Sequence, residues 1–137
     1  MANEAVLIIQ TGLPIPFTVA NGTGIEKGAL LKMTDLMTAA ASDGAEDNVA
    51  GIAASEKIAS DGKVRLGVYR EGIFKVTASG AINVGDTVAL KGSANLVIAA
   101  TATALGGETL GIALETAAEA ETFLMELRPG CNMQALS

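Results

Sequence analysis

The 137-residue sequence predicts an all-β protein, a small barrel made of two copies of one β unit with at most short helical turns. Three observations carry this. Apolar and other residues alternate at period two in short segments, as in Val64-Arg65-Leu66-Gly67-Val68, Ile73-Phe74-Lys75-Val76 and Phe123-Leu124-Met125-Glu126-Leu127. Glycines and turn pairs punctuate the chain at roughly the 8–12-residue spacing of small barrels and sandwiches. The body also repeats itself.

Residues 1–16 read as an extended arm. The apolar run Ala5-Val6-Leu7-Ile8-Ile9 is followed by Thr11-Gly12 and then by Pro14 and Pro16. Prolines at alternate positions favour extended backbone and exclude a helix. Two readings of Val6, Leu7, Ile8 and Ile9 stand side by side. They form a strand within their own chain, or, with Pro14 and Pro16, they form an arm that pairs with a partner or a neighbouring protomer by strand addition.

Residues 17–127 form one β domain with internal repeats at 17–68 and 74–127. At an offset of 57, Phe17 meets Phe74, Val19 meets Val76, Ile25 meets Ile82, Gly28 meets Gly85, Leu31 meets Val88 and Met33 meets Leu90. The offset then drifts to 60, and Gly51-Ile52-Ala53 meets Gly111-Ile112-Ala113. Val64, Leu66 and Val68 correspond to Phe123, Met125 and Leu127. Any single match in so Ala- and Gly-rich a chain is weak, but the conserved order of blocks points to duplication. Gly28 and Gly85 precede strands, where a turn needs positive φ. Gly51 and Gly111 mark positions where another backbone passes close. Ser60-Asp61-Gly62-Lys63 is a tight turn into a strand. The Ala-rich stretches Leu36–Ala41 and Ala99–Leu105 read as loops or short helices. Residues 128–137 read as a tail opened by Pro129-Gly130.

Composition narrows the chemistry. Half the residues are hydrophobic, but 25 are Ala and only Phe17, Tyr69, Phe74 and Phe123 are aromatic, so the core is expected to be aliphatic and thin. There is no His, which removes the usual general base and the commonest metal ligand. Cys131, alone, can make neither an internal disulfide nor a closed zinc site. No catalytic residue, cofactor or metal is expected. The net charge of −6, with basic residues scattered, offers no footprint for nucleic acid. No apolar run approaches the ~20 residues that span a bilayer, and no positive segment precedes Ala5–Ile9, so neither a membrane span nor a signal peptide is expected. The expectation is a soluble protein made in a cytoplasm.

Local motifs yield little. Gly22-Thr23-Gly24-Ile25-Glu26-Lys27-Gly28 has the wrong spacing for a nucleotide loop and no helix after it. Ser60 and Lys63 match a Ser-x-x-Lys pattern, but an Asp-Gly turn lies between them. Lys32 beside Met33 hints at the modified Lys of a biotin or lipoyl carrier, although the second copy has Ala89 there. Asp43, Glu46, Asp47 and Asn48 lack the ligand order of an EF-hand and read as an acidic loop.

The pieces Gly51-Ile52-Ala53-Ala54, Lys63–Val68, Glu71-Gly72-Ile73-Phe74-Lys75-Val76 and Ile82-Asn83-Val84-Gly85-Asp86-Thr87-Val88 resemble the short capsid cement, or head decoration, proteins of tailed phages. Leu110–Leu114 and Ala117–Glu121 resemble the second copy of that pattern, and the likeness covers residues 17–127. Copy one departs from it at Lys27-Gly28-Ala29, where an Asp after the Gly is missing. The resemblance implies a tulip-like β domain and a non-enzymatic structural protein of the virion. It implies a homotrimer bound to the outer surface of the expanded capsid, with the major capsid protein as partner and stabilisation of the shell as the role. A non-enzymatic β-barrel adhesin module is the alternative, and a biotin or lipoyl carrier the third reading.

Overall fold

A computed structural model describes residues 2–101 and 106–130. The described chain holds strands β1 Val6–Ile9, β2 Ile15–Thr18, β3 Leu30–Asp35, β4 Thr38–Ala41, β5 Val49–Ala53 and β6 Arg65–Tyr69. It continues with β7 Gly72–Thr77, β8 Thr87–Leu90, β9 Val97–Ala99, β10 Thr109–Ala113 and β11 Thr122–Leu127. A single 3-10 turn at Gly106–Glu108 precedes β10, and the described residues contain no α-helix.

The strands form a closed five-stranded barrel in the order β2-β4-β3-β5-β6 and a six-stranded sheet in the order β1-β7-β11-β10-β8-β9. Without β1, the two have one connectivity. Phe17 faces Leu66 across β2 and β6, as Phe74 faces Met125 across β7 and β11. Leu31 lies opposite Gly51, and Val88 opposite Gly111. The isolated pair Ile25–Lys57 returns as Ile82–Ala117. Even the unusual backbone repeats: Met37 and Ser60 have positive φ, and so do their counterparts Ala94 and Ala120. The parallel pair Thr18–Thr38 that closes the barrel has its counterpart in a parallel bridge, Ala78–Val97.

The copies differ at one edge. β1 lies along β7, with Val6 opposite Lys75, Leu7 opposite Phe74 and Ile9 opposite Ile73. On the matching edge of β2 only Thr18 is paired, with Thr38 of β4, and no strand lies along Ile15–Phe17 among the described residues, where Pro16 disfavours one. The Thr18 N–H donates to the Met37 carbonyl at 2.7 Å, while the Val19 N–H donates to the Val64 carbonyl of the opposite neighbour at 3.0 Å. Backbone groups of an extended strand alternate sides, so Pro16 turns its nitrogen away from β6. That nitrogen has no hydrogen to offer a further strand. Copy two has Ile73 at the equivalent position, which can donate. The proline thus blunts this stretch of β2, while the equivalent stretch of β7 pairs with β1.

Buried side chains form two clusters. Phe17, Val19, Leu31, Ala39, Ala50, Leu66 and Val68 fill the barrel. Phe74, Val76, Leu90, Leu110, Phe123, Met125 and Leu127 form the second cluster together with Leu30, Val49 and Ile52 of copy one. All five residues of β5 are buried, because Ala50 and Ala53 face the barrel while Val49 and Ile52 face the other copy. A strand covered on both faces makes the two copies one packed body. Phe17, Phe74 and Phe123 are each buried, and Tyr69 meets Phe74 edge-on with ring centroids 5.6 Å apart.

Close backbone approach explains the paired glycines of the Gly-Ile-Ala blocks. Gly51 has φ +147°, and a Cβ there would collide with the Tyr69 carbonyl oxygen. A Cβ at Gly111 would collide with the Glu126 carbonyl oxygen in the same way. Gly28 and Gly85 sit at φ +82° and +89° in the turns before β3 and β8.

The expectation of a loop or short helix over Leu36–Ala41 is corrected: Thr38–Ala41 is strand β4, paired with β3 from Leu31–Ala41 to Asp35–Thr38. An alanine run carries no period, so tertiary pairing decides its state. The narrow interior of a five-stranded barrel favours small side chains on this wall, and Ala39 is 2% exposed. In the second stretch, Ala99 ends β9. Residues 102–105 lie outside the described residues.

One side chain ties the arm to both copies. Asn95, in the β8–β9 turn, accepts the Leu30 N–H through Oδ1 at 2.8 Å. Its Nδ2 donates to the carbonyls of Asn3 at 2.9 Å and Gly28 at 3.0 Å. The Glu46 carboxylate accepts the Thr101 N–H and hydroxyl at 2.9 and 3.0 Å, a second strap between the copies. Removing the Asn95 amide leaves the Leu30 N–H without its acceptor, so Asn95→Ala is expected to cost about 2–3 kcal/mol. Urea unfolding should show a lower midpoint at an unchanged m-value.

Candidate functional site

The structure brings no catalytic constellation together from the residues the sequence singled out. Gly22–Gly28 is a turn region leading into β3, not a helix. Ser60 sits in a turn at positive φ, and the Lys63 N–H donates to Asp61 Oδ1 at 2.9 Å. Lys32 lies within β3 opposite Ala40, and its ammonium pairs with Asp43 at 2.6 Å. The hydrogen bond with Asp43 raises the Lys32 pKa above its ordinary value, and the same contact lowers that of Asp43. Asp43 is largely exposed, so the pair is weak and sensitive to salt. Asp47 accepts the N–H groups of Asp43 and Gly44, and Glu46 is held by Thr101. The acidic loop therefore uses its carboxylates on its own backbone and on the strap. Among the described residues no group of three or more metal-ligating side chains forms. Cys131 lies outside them.

What the fold does build is an apolar outer face on the six-stranded sheet. Leu7 turns inward and packs on the buried cluster, while Val6, Ile8 and Ile9 are 44%, 49% and 52% exposed. Registers continue this outer side across five strands, where the aliphatic residues beyond β1 are half-buried. One row runs Ile9, Ile73, Glu126, Ile112 and Thr87. The next begins Val6, Lys75, Leu124, and the Leu124 carbonyl accepts the N–H of the exposed Leu114. The inward positions of these strands, such as Phe74, Val76, Phe123 and Met125, form the core. Aliphatic groups thus occur on both faces of the sheet, and the outer ones, exposed on β1 and half-buried on β7, β11 and β10, are interspersed with Lys75 and Glu126. Isolated apolar residues on a surface need no explanation, whereas a cluster such as Val6, Ile8 and Ile9 beside half-buried Ile73 is a candidate interaction site.

Val6, Ile8 and Ile9 were named from the sequence. Ile73, Leu124, Ile112 and Leu114 were missed there. Their signal was present, since each is an aliphatic residue at the solvent parity of an alternating strand. Pro14 and Pro16 lie elsewhere, with Pro16 in barrel strand β2 opposite Gly67. The repeat glycines 28, 51, 85 and 111 serve turns and close strand contacts and take no part in this face.

Comparison with known proteins places the chain. No characterised protein matches it by sequence. Its fold is similar to the crystal structure of the head fiber gp8.5 N base in bacteriophage phi29. The TM-score is 0.54 at 16% identity, covering 87% of this chain and 98% of that one. At such identity the likeness concerns the fold alone. The model of a family described as phage cement protein matches residues 9–128, nearly the whole of the described chain. With a match of that extent, the chain belongs to the phage cement protein family.

Proposed function

We propose that this chain binds the outer surface of an expanded phage capsid and stabilises it, as a homotrimer that contacts the major capsid protein and catalyses nothing. The family match over residues 9–128 carries the reading. The exposed aliphatic residues of β1, continued by half-buried ones on β7, β11 and β10, support it, because such a patch suits a contact with another protein. The net charge of −6 is consistent with a protein kept off nucleic acid. On this reading the chain is made in the host cytoplasm and ends on the virion exterior.

The alternative, a glycan-binding adhesin module, draws no support from the aromatics. Three of the four are buried, and the fourth packs on Phe74. A carrier role for Lys32 is disfavoured by its ion pair with Asp43. Sedimentation of purified protein with expanded shells that lack it tests the proposal. Saturable co-sedimentation is expected, with three chains per binding site, and absence of binding would sink the reading.

A further inference from the structure

A second surface lies at the seam between the copies. Arg70 follows β6, just before copy two begins, and is half-buried. Its Nη1 donates to the Ala50 carbonyl at 2.8 Å and, more weakly, to the Val49 carbonyl at 3.4 Å. No carboxylate among the described residues pairs with it, and its Nε and Nη2 donors have no hydrogen-bond partner among them. Burial pushes the guanidinium pKa below its ordinary value. The group opens into a pocket of about 430 Å³ lined by Met33, Leu36, Asn48 and Val49. Asp35 also lines it, but Asp35 accepts the Leu36 N–H of its own turn at 2.8 Å and does not reach Arg70 as an ion pair. Leu36, at the tip of the β3–β4 hairpin, is 86% exposed.

A half-buried cation without an anion among the described residues stands out in a chain that carries more acidic than basic residues. Arg presents a planar fork of donors that matches a carboxylate in two parallel hydrogen bonds. The apolar walls supplied by Met33, Val49 and Leu36 suit the side chain and flanking residues of a protein segment. We propose that this pocket receives an Asp or Glu side chain of the capsid subunit, bound by Arg70 and flanked by the apolar hairpin tip. The proposal rests on the shell-binding reading and names a contact for it, separate from the β1 face.

The test compares wild type, Arg70→Met and Arg70→Lys for binding to expanded shells, with thermal unfolding of each. Arg70→Met loses its hydrogen bonds to the Ala50 and Val49 carbonyls and is expected to unfold at a somewhat lower temperature, and, measured well below that temperature, to bind about tenfold to a hundredfold more weakly. Arg70→Lys, which keeps the charge and loses the fork, is expected to weaken binding by a smaller factor. Wild-type binding with full affinity kept by Arg70→Met overturns the proposal alone. Absence of binding by the wild type overturns the shell-binding reading and this contact with it. Should Arg70→Met unfold, Arg70→Lys decides: weaker binding at native stability supports the contact, and undiminished binding overturns it.

Discussion

Replacing Lys57 by Met is expected to destabilise the protein by about 3 kcal/mol. Lys57 is 2% exposed, and all three of its ammonium hydrogens are used. They go to the carbonyls of Asn21 at 2.9 Å and Ile58 at 3.0 Å, and to Asp61 Oδ1 at 2.9 Å. Methionine keeps most of the packing volume but leaves these acceptors without their donor. Asp61 supplies a pH signature. The hydrogen bond from Lys57, with a further one from the Lys63 N–H, holds its carboxyl below the usual value. A carboxylate with a depressed folded-state pKa contributes stability above its unfolded pKa of about 4. That contribution is lost as pH falls through the folded value. Chemical denaturation from pH 6 downward should therefore show wild type losing stability more steeply in acid than Lys57→Met, with the two curves converging.

The second large effect concerns binding. The paired substitution Val6→Asp and Ile9→Asp places two carboxylates on the outer face of β1, at positions 44% and 52% exposed. Neither side chain belongs to the buried clusters, so the unfolding midpoint should move little. Affinity for expanded shells should fall by about a hundredfold or more, since charges would be buried unpaired in an apolar contact. Substituting Leu13, 80% exposed and outside this face, serves as the control and should leave binding near wild type. Equal losses in the two variants would show that general surface polarity, not this face, governs binding.

Much of the architecture was legible because the chain states it twice. Phe17 and Phe74, or Gly51 and Gly111, carry little information alone, yet their common order shows the unit, and the registers place them at equivalent points. The strand partner of Val6–Ile9 was not legible. Nothing within those four residues selects β7 over β2; on the β2 side stand the pairing of Thr18 with β4 and Pro16, whose missing N–H matters only once its side of the strand is known. β4 was hidden because alanines give no periodicity. Lys57 looks like a surface lysine, since its burial depends on carbonyls contributed by Asn21 and Ile58 and on a turn ending at Asp61. Asn95 likewise acts through partners some 65 to 92 positions away, contacts that no local pattern records. The candidate face is half visible in the sequence: β1 is a continuous aliphatic run, while Leu124 and Ile112 sit singly in strands whose pattern does not set them apart.

The central claim is that this chain reinforces a shell. Its most direct measurement is the temperature at which expanded, DNA-filled shells lacking the protein release their DNA, recorded without protein and at saturating protein. A ligand that binds the intact shell and not the ruptured one must raise that temperature, and more so as its concentration rises. The account predicts a saturable upward shift with wild type and little shift with the Val6→Asp, Ile9→Asp variant. An unchanged release temperature with wild-type protein demonstrably bound would contradict it.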